Sequence, residues 1–245
     1  MIDRYHMSVC PHDTAKNIAG WFLINTYIQR RLNHAIRFEP EDNFNQEREK
    51  VLAGGYQIVY ANPFSAMRYG QQLGFLPVAK PVGSFDETHI VARTGEGVPT
   101  KRPVKIASAT DKLIVHFLGM TMLEQVGLTL KDVEFQFVGN HLKAAQAVIN
   151  GQCDLGFVFN ETWNGLGTTS KQALHSIAET KNQQAFHCFC IAPELEHQYE
   201  LIQGILCGMS SDPAGQKVLE DLRFKGFEPL SRDTLDKFGS LVGAS

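Results

Sequence analysis

The chain lacks most of the signatures by which a sequence declares its chemistry. No uninterrupted apolar run approaches the roughly 20 residues needed to cross a bilayer, so a membrane-spanning chain is not expected. There is no basic excess: 23 Lys and Arg stand against 26 Asp and Glu, a formal charge of −3. No basic stripe is left to attract a phosphate backbone, and nucleic acid is not an expected partner. Cysteine is scarce and odd in number, at Cys10, Cys153, Cys188, Cys190 and Cys207. With no Cys-x-x-Cys spacing, the five read as small buried apolar residues rather than a disulfide framework. A Gly-x-Ser-x-Gly elbow, a P-loop and a His-Glu-x-x-His helix are all missing, which removes the usual hydrolase, nucleotide-binding and metalloprotease signals. No secretory leader is read at the start, because Asp3 and Arg4 precede a strand-like run. That leaves a cytoplasmic chain or one whose leader has been removed.

What is present is a folded globular composition, 43% hydrophobic and 20% charged, with alternating short apolar runs and amphipathic stretches. Tyr5 to Val9 reads as a strand, followed after Cys10-Pro11-His12-Asp13 by a helix with an inner face of Ile18, Trp21, Ile24, Ile28 and Leu32. Ile36 and Phe38 mark a second strand, Phe44 to Ala53 a helix ended by Gly54-Gly55, and Ile58-Val59-Tyr60 a buried strand. Pro63 then opens another helix, where a first turn tolerates the missing N–H. The pattern recurs with a strand at Val104 to Ala107, a helix at Lys112 to Gln125, a strand at Val133 to Val138, a helix at Leu142 to Asn150 and a strand at Leu155 to Phe159. Val51-Leu52-x-Gly54-x-Tyr56-Gln57-Ile58 and Val148-Ile149-x-Gly151-x-Cys153-Asp154-Leu155 repeat one order at an offset of 97 residues. Strands of four or five apolar residues between helices predict an α/β fold with mostly parallel sheets covered on both faces. Extended segments at Thr88 to Ala92 and Ala185 to Ile191 read as two crossings between two lobes. Lobe 1 is expected from residues 1–92 plus 187–245, and lobe 2 from residues 93–186.

Three segments carry a likeness to a known family: Met7-Ser8-Val9-Cys10-Pro11; Gln57-Ile58-Val59-Tyr60-Ala61-Asn62-Pro63-Phe64-Ser65-Ala66-Met67; and Val138-Gly139-Asn140-His141 with Gly151-Gln152-Cys153-Asp154. In order and spacing they resemble the type II periplasmic binding proteins, and within them the phosphonate-, phosphite- and phosphate-binding proteins of ABC transporters. The resemblance implies a two-lobed binding protein that closes on a small polar ligand such as an oxyanion. It further implies a monomer with an ABC permease or a sensor kinase as partner, a periplasmic location, and no catalysis. The site is then expected in loops beyond the carboxyl ends of the strands. The candidates are Cys10, His12, Asp13, Thr14, Asn43, Phe44, Tyr60, Asn62 and Ser65 in the first lobe. Thr88, His89, Ser108, Thr110, Asp111, Lys112, Asn140, His141, Asn160, Glu161 and Thr162 follow at the hinge and in the second lobe.

These residue types suit an oxyanion, because helix N-termini supply free amides and a favourable dipole beside hydroxyl and amide side chains. Ser65 and Thr110 read equally well as simple helix caps. Where phosphonate binders carry a Ser/Thr run ending in Gly, this chain has Thr110-Asp111-Lys112-Leu113-Ile114, and Asp111 disfavours a dianion. Cys10, His12 and His141 raise a sulfur- and imidazole-loving ligand, but their spacing predicts no preformed metal site, and no cofactor is expected. His187-Cys188-Phe189-Cys190 is the one feature pointing to an enzyme, since thiamine pyrimidine synthases of this fold carry a cysteine cluster on the returning strand. That family's Lys and His pair has no counterpart here, where Asn62-Pro63-Phe64 stands. Alternation instead predicts Cys188 and Cys190 on one face and Phe189 on the other. The remaining alternative is an interaction-only protein with a degenerate site.

Overall fold

The computed structural model describes residues 4–243. Residues 4–84 with Phe186–Gly239 form one compact unit, and Phe85–Ala185 with residues 240–243 form the other. The first unit runs β1 (Tyr5–Val9), α1 (Pro11–Leu32), β2 (Ile36–Phe38), α2 (Phe44–Leu52), β3 (Ile58–Ala61), α3 (Pro63–Leu73) and β4 (Leu76–Pro81). The second runs β5 (Thr88–Arg93), β6 (Val104–Ser108), α4 (Ile114–Thr121), β7 (Val133–Phe137), α5 (His141–Ile149), β8 (Leu155–Phe159), α6 (Asn160–Asn164), α7 (Thr168–Ala173) and β9 (Leu174–Glu179). The chain then returns through β10 (Cys188–Ile191), α8 (Tyr199–Cys207), α9 (Pro213–Leu222), β11 (Phe227–Pro229) and α10 (Thr234–Gly243).

Each unit has one mixed sheet. The first is ordered β11-β4-β10-β3-β1-β2 and the second β7-β6-β8-β5-β9. In the first, β1 is parallel to β2 and β3, and β10 lies antiparallel to both β3 and β4. Four strands therefore share one direction, and β10 and β11 oppose them. In the second, β6 is parallel to β7 and β8, while β5 runs against β8 and β9. The expected parallel character thus holds for most strands, with β10 and β11 running against the others in the first sheet and β5 in the second.

The boundary expected after residue 92 lies instead after residue 84, because β5 pairs along its length with β8 and β9. The chain also passes between units a third time within α10, where Leu241 and Val242 pack on the second unit's Ile114, Leu118 and Phe159. Three strands escape the sequence pattern. β4 contains Pro77 and Pro81, which argue against a strand, β11 has three residues, and β9 mixes His175, Ser176 and Glu179 among its apolar positions.

The first core is built from the inner face of α1, where Trp21, Ile24 and Ile28 are almost wholly buried against Tyr60 and Phe189. Each such side chain contributes about 1.5–3 kcal/mol by leaving water. Ile18 departs from the expected stripe and is 46% exposed. It follows Asn17, whose backbone leaves the helical region and divides α1 into a short first turn and a long second segment. Asn17 caps that second segment, accepting from the Gly20 N–H at 3.0 Å, and its amide is tied to Asp221.

The internal repeat has a structural counterpart. Gln57 donates its N–H to the His6 carbonyl and accepts from the His6 N–H through its side chain at 2.9 Å. Asp154 does the same to Lys105, accepting from its N–H at 2.8 Å. Each unit thus clamps the start of a buried strand to its parallel neighbour with the same two bonds.

Candidate functional site

In the first unit the topology gathers three loop ends. β1 and β3 are parallel neighbours, so the segments leaving them emerge at the same sheet edge. β10 enters antiparallel with Cys188 opposite Ala61, which places His187 at that edge too. Cys10 leaves β1 with its N–H bonded to the Tyr60 carbonyl at 2.8 Å. It occupies the N-cap position of α1, and Pro11 begins the helix. Asn62 caps α3 by accepting from the Ser65 N–H at 3.0 Å. Its amide nitrogen donates to Ser65 Oγ at 3.1 Å and lies 3.8 Å from Cys10 Sγ. Ser65 is therefore the partner of a cap rather than the cap itself.

Behind this edge lies a buried polar network. Arg48 Nε donates to Ser65 Oγ at 3.2 Å, and its guanidinium sits 4.9 Å from the centre of the Phe64 ring. Tyr69 donates to Glu47 Oε2 at 2.7 Å, and Ser8 donates to Oε1 at 3.3 Å. Burial pushes the Glu47 carboxyl up to about 7 against the pull of the Tyr69 bond and of Arg48. Burial also lowers Arg48 from the usual guanidinium range and raises Tyr69. Arg48, Glu47 and Tyr69 were not among the sequence candidates. A signal for two of them existed: positions 47, 48 and 51 share one helical face with the buried Val51, so two charges face inward.

Cys10, Asp13 and His187 form a second cluster at the same edge, their ligand atoms all within 4.8 Å of one another. Asp13 Oδ2 lies 3.4 Å from His187 Nε2, and Tyr60 stacks on the imidazole at 5.8 Å. Burial raises the Cys10 thiol, and the hydrogen bond and charge of His187 offset part of that rise. Thr14 donates to the Pro11 carbonyl within its own turn, and His12 is half-buried. Asn43 is exposed and caps α2, accepting from the Asn45 and Gln46 N–H groups, with Phe44 half-buried beside it.

The second unit repeats the arrangement with different chemistry. Ser108 ends β6 with its Oγ 3.3 Å from His116 Nδ1. His116 is enclosed by the rings of Phe135, Phe137 and Phe157, and burial pulls its pKa down to about 4. Thr110 does not cap α4, which begins two residues later than expected, with Leu113 at its N-cap and no side-chain cap on its first amides. Instead Thr110 Oγ1 accepts from the Lys112 N–H and donates to Asp111 at 3.2 Å, in a turn where Asp111 and Lys112 are exposed. Asn140 caps α5 through the Lys143 N–H at 2.8 Å, and the buried His141 ring lies 5.6 Å from Phe159.

Asn160 directs its amide to Phe85 and Glu87 rather than outward, while Glu161 is exposed and Thr162 half-buried in the short α6. Thr88 is fully buried, donating to the Val115 carbonyl. His89 faces β9 instead of the strand-end loops, 2.9 Å from Ser176 and beside Trp163. Cys188 and Cys190 share one face as expected, Sγ to Sγ 3.6 Å, while Phe189 joins the opposite core.

A substrate-binding architecture of two such units, each with helices starting beyond parallel strands, matches known proteins along its whole length. The family model described as the phosphonate periplasmic substrate-binding protein of ABC transporters matches residues 7–235. The chain belongs to that family. PhnD1 from Prochlorococcus marinus, solved with methylphosphonate, superposes with a TM-score of 0.80 at 12% identity, over 99% of this chain and 98% of that one. A binding protein component of an ABC phosphonate transporter from Pseudomonas aeruginosa gives 0.75 at 13% identity, over 97% and 85%. The periplasmic aliphatic sulphonate binding protein SsuA from Escherichia coli gives 0.70 at 12% identity, over 100% and 87%. No curated protein matches the sequence. Among the described residues, no helix is long and apolar enough to cross a membrane.

Proposed function

We propose that this chain is a non-catalytic, periplasmic solute-binding component that captures a small oxyanion of the phosphonate or sulphonate class for an ABC permease. The observation that carries the reading is the repeated placement of helix starts beyond parallel strands: α1 and α3 in the first unit, α4 and α5 in the second. Such starts present amide donors and a favourable dipole to an anion. α4 adds weight, because no side chain caps its first amides, unlike those of α3 and α5. Asn62 in the first unit, and Ser108, Thr110, Lys112, Asn140 and His141 in the second, are the side chains that each unit offers to an anion. Asp111, exposed in the turn before α4, selects for a singly charged oxyacid over a dianion.

The test is a calorimetric and thermal-shift panel of methanesulphonate, methylphosphonate, phosphite, phosphate and sulphate. A bound oxyanion at about 100 times its Kd stabilises the fold by about 2.7 kcal/mol. A raised melting temperature with the singly charged members is the expected result. No shift with any member removes the reading, and tighter binding of the dianions removes the selectivity assigned to Asp111.

A further inference from the structure

We infer that Cys10, Asp13 and His187 form a binding site for a divalent zinc-type metal ion. One thiol, one carboxylate and one imidazole converge on one point, a donor set of borderline softness that suits Zn2+ better than Mg2+ or Ca2+. Their ligand atoms lie within 4.8 Å of one another, and the Asp13 to His187 pair is already at 3.4 Å. Bonds of roughly 2.0–2.3 Å around a tetrahedral zinc place neighbouring ligand atoms about 3.3–3.8 Å apart, so only small side-chain adjustments are needed.

An independent observation points to the same spot. Asp13 is only 9% exposed, and its Oδ2 is buried and accepts no hydrogen bond although it faces the cluster. A buried carboxylate oxygen without a donor is costly, and a cation beside it removes the cost. The surroundings also hold the donors in place. The Cys10 N–H is fixed to Tyr60, the Asn62 amide points at the sulfur, and the Tyr60 ring stacks on His187. Such outer contacts are what orient metal ligands. The Cys10 sulfur is fully buried, and metal binding releases its proton to solvent. Three protein ligands leave one position for water or an anion. The site stands whether or not the oxyanion reading above holds.

The experiment uses the full chain stripped with chelator and titrated with Zn2+ alone, then with Co2+ as a spectroscopic substitute. One equivalent of zinc is expected, with a thiolate-to-cobalt charge-transfer absorption in the near ultraviolet. C10S removes that absorption, and C10S and H187Q each weaken zinc by about 100-fold or more, beyond the roughly 10–100-fold known for outer contacts alone. A C188S/C190S double variant keeps both signals. Substoichiometric zinc, a cobalt complex of the native chain without the thiolate absorption, or loss of that absorption in the double variant instead of C10S would each overturn the site. Because the native cobalt spectrum decides without any substitution, a variant that fails to fold does not rescue the proposal.

Discussion

The two units share a plan and differ in what they bury beneath it. In the first, the edge beyond the strands rests on Glu47, Arg48, Tyr69 and Ser65, a network of charged and hydroxyl groups joined by hydrogen bonds. In the second, the corresponding layer is an aromatic box around one imidazole, with the polar residues moved out to an exposed turn. The difference teaches that a shared backbone plan does not fix the polarity of the layer beneath the loops. It also gives the two units opposite responses to acid.

The largest expected effect tests the first core directly. Trp21→Ala removes a ring packed at 4.5 Å from Tyr60, and a loss of about 3–5 kcal/mol is expected in a urea titration followed by circular dichroism. Next comes the pH comparison. Glu47 keeps its proton in the fold up to about 7, whereas the unfolded chain releases it near 4.5. Between those values the folded state holds more protons, so stability falls as pH rises, by on the order of 3 kcal/mol across the window. Glu47→Gln flattens that slope.

His116 works in the other sense. Its folded pKa is about 4 against 6.5 unfolded, so stability is present above 6.5 and is lost as pH falls towards 4. The two tryptophans report separately, Trp21 from the first unit and Trp163 from the second. Thermal melts between pH 4 and pH 8, read at each, should show opposite trends, and a common trend breaks the comparison. Tyr69→Phe, which strips Glu47 of its shortest hydrogen bond, is expected to cost about 1–3 kcal/mol. Thr110→Ala in the exposed turn of the second unit should stay within about 0.5 kcal/mol in the same assay.

The course of the chain was legible where one local rule sufficed. Apolar runs marked β1, β3 and β8, Pro63 marked the start of α3, and Gly54 and Gly151 marked helix ends, each with a positive φ. The Gln57 and Asp154 repeat was visible too, although its role as a clamp needed the strand register. The sites were legible only in part, because proximity there depends on topology. Cys10 and Asp13 were named from their loop, but His187 joins them only because β10 runs against β3, a pairing that no residue near position 187 announces. The same logic explains β4: its two prolines deny it a ladder donor, yet it is held between β10 and β11 by its remaining groups.

The break at Asn17 divides the work of α1 between two pieces. The short turn of residues 11–16 and the long segment that anchors Trp21 meet at Asn17, whose amide is tied to Asp221 and whose side-chain oxygen accepts from the Gly20 N–H. A substitution at an exposed position of that first turn is therefore expected to leave the packing of Trp21, Ile24 and Ile28 in place.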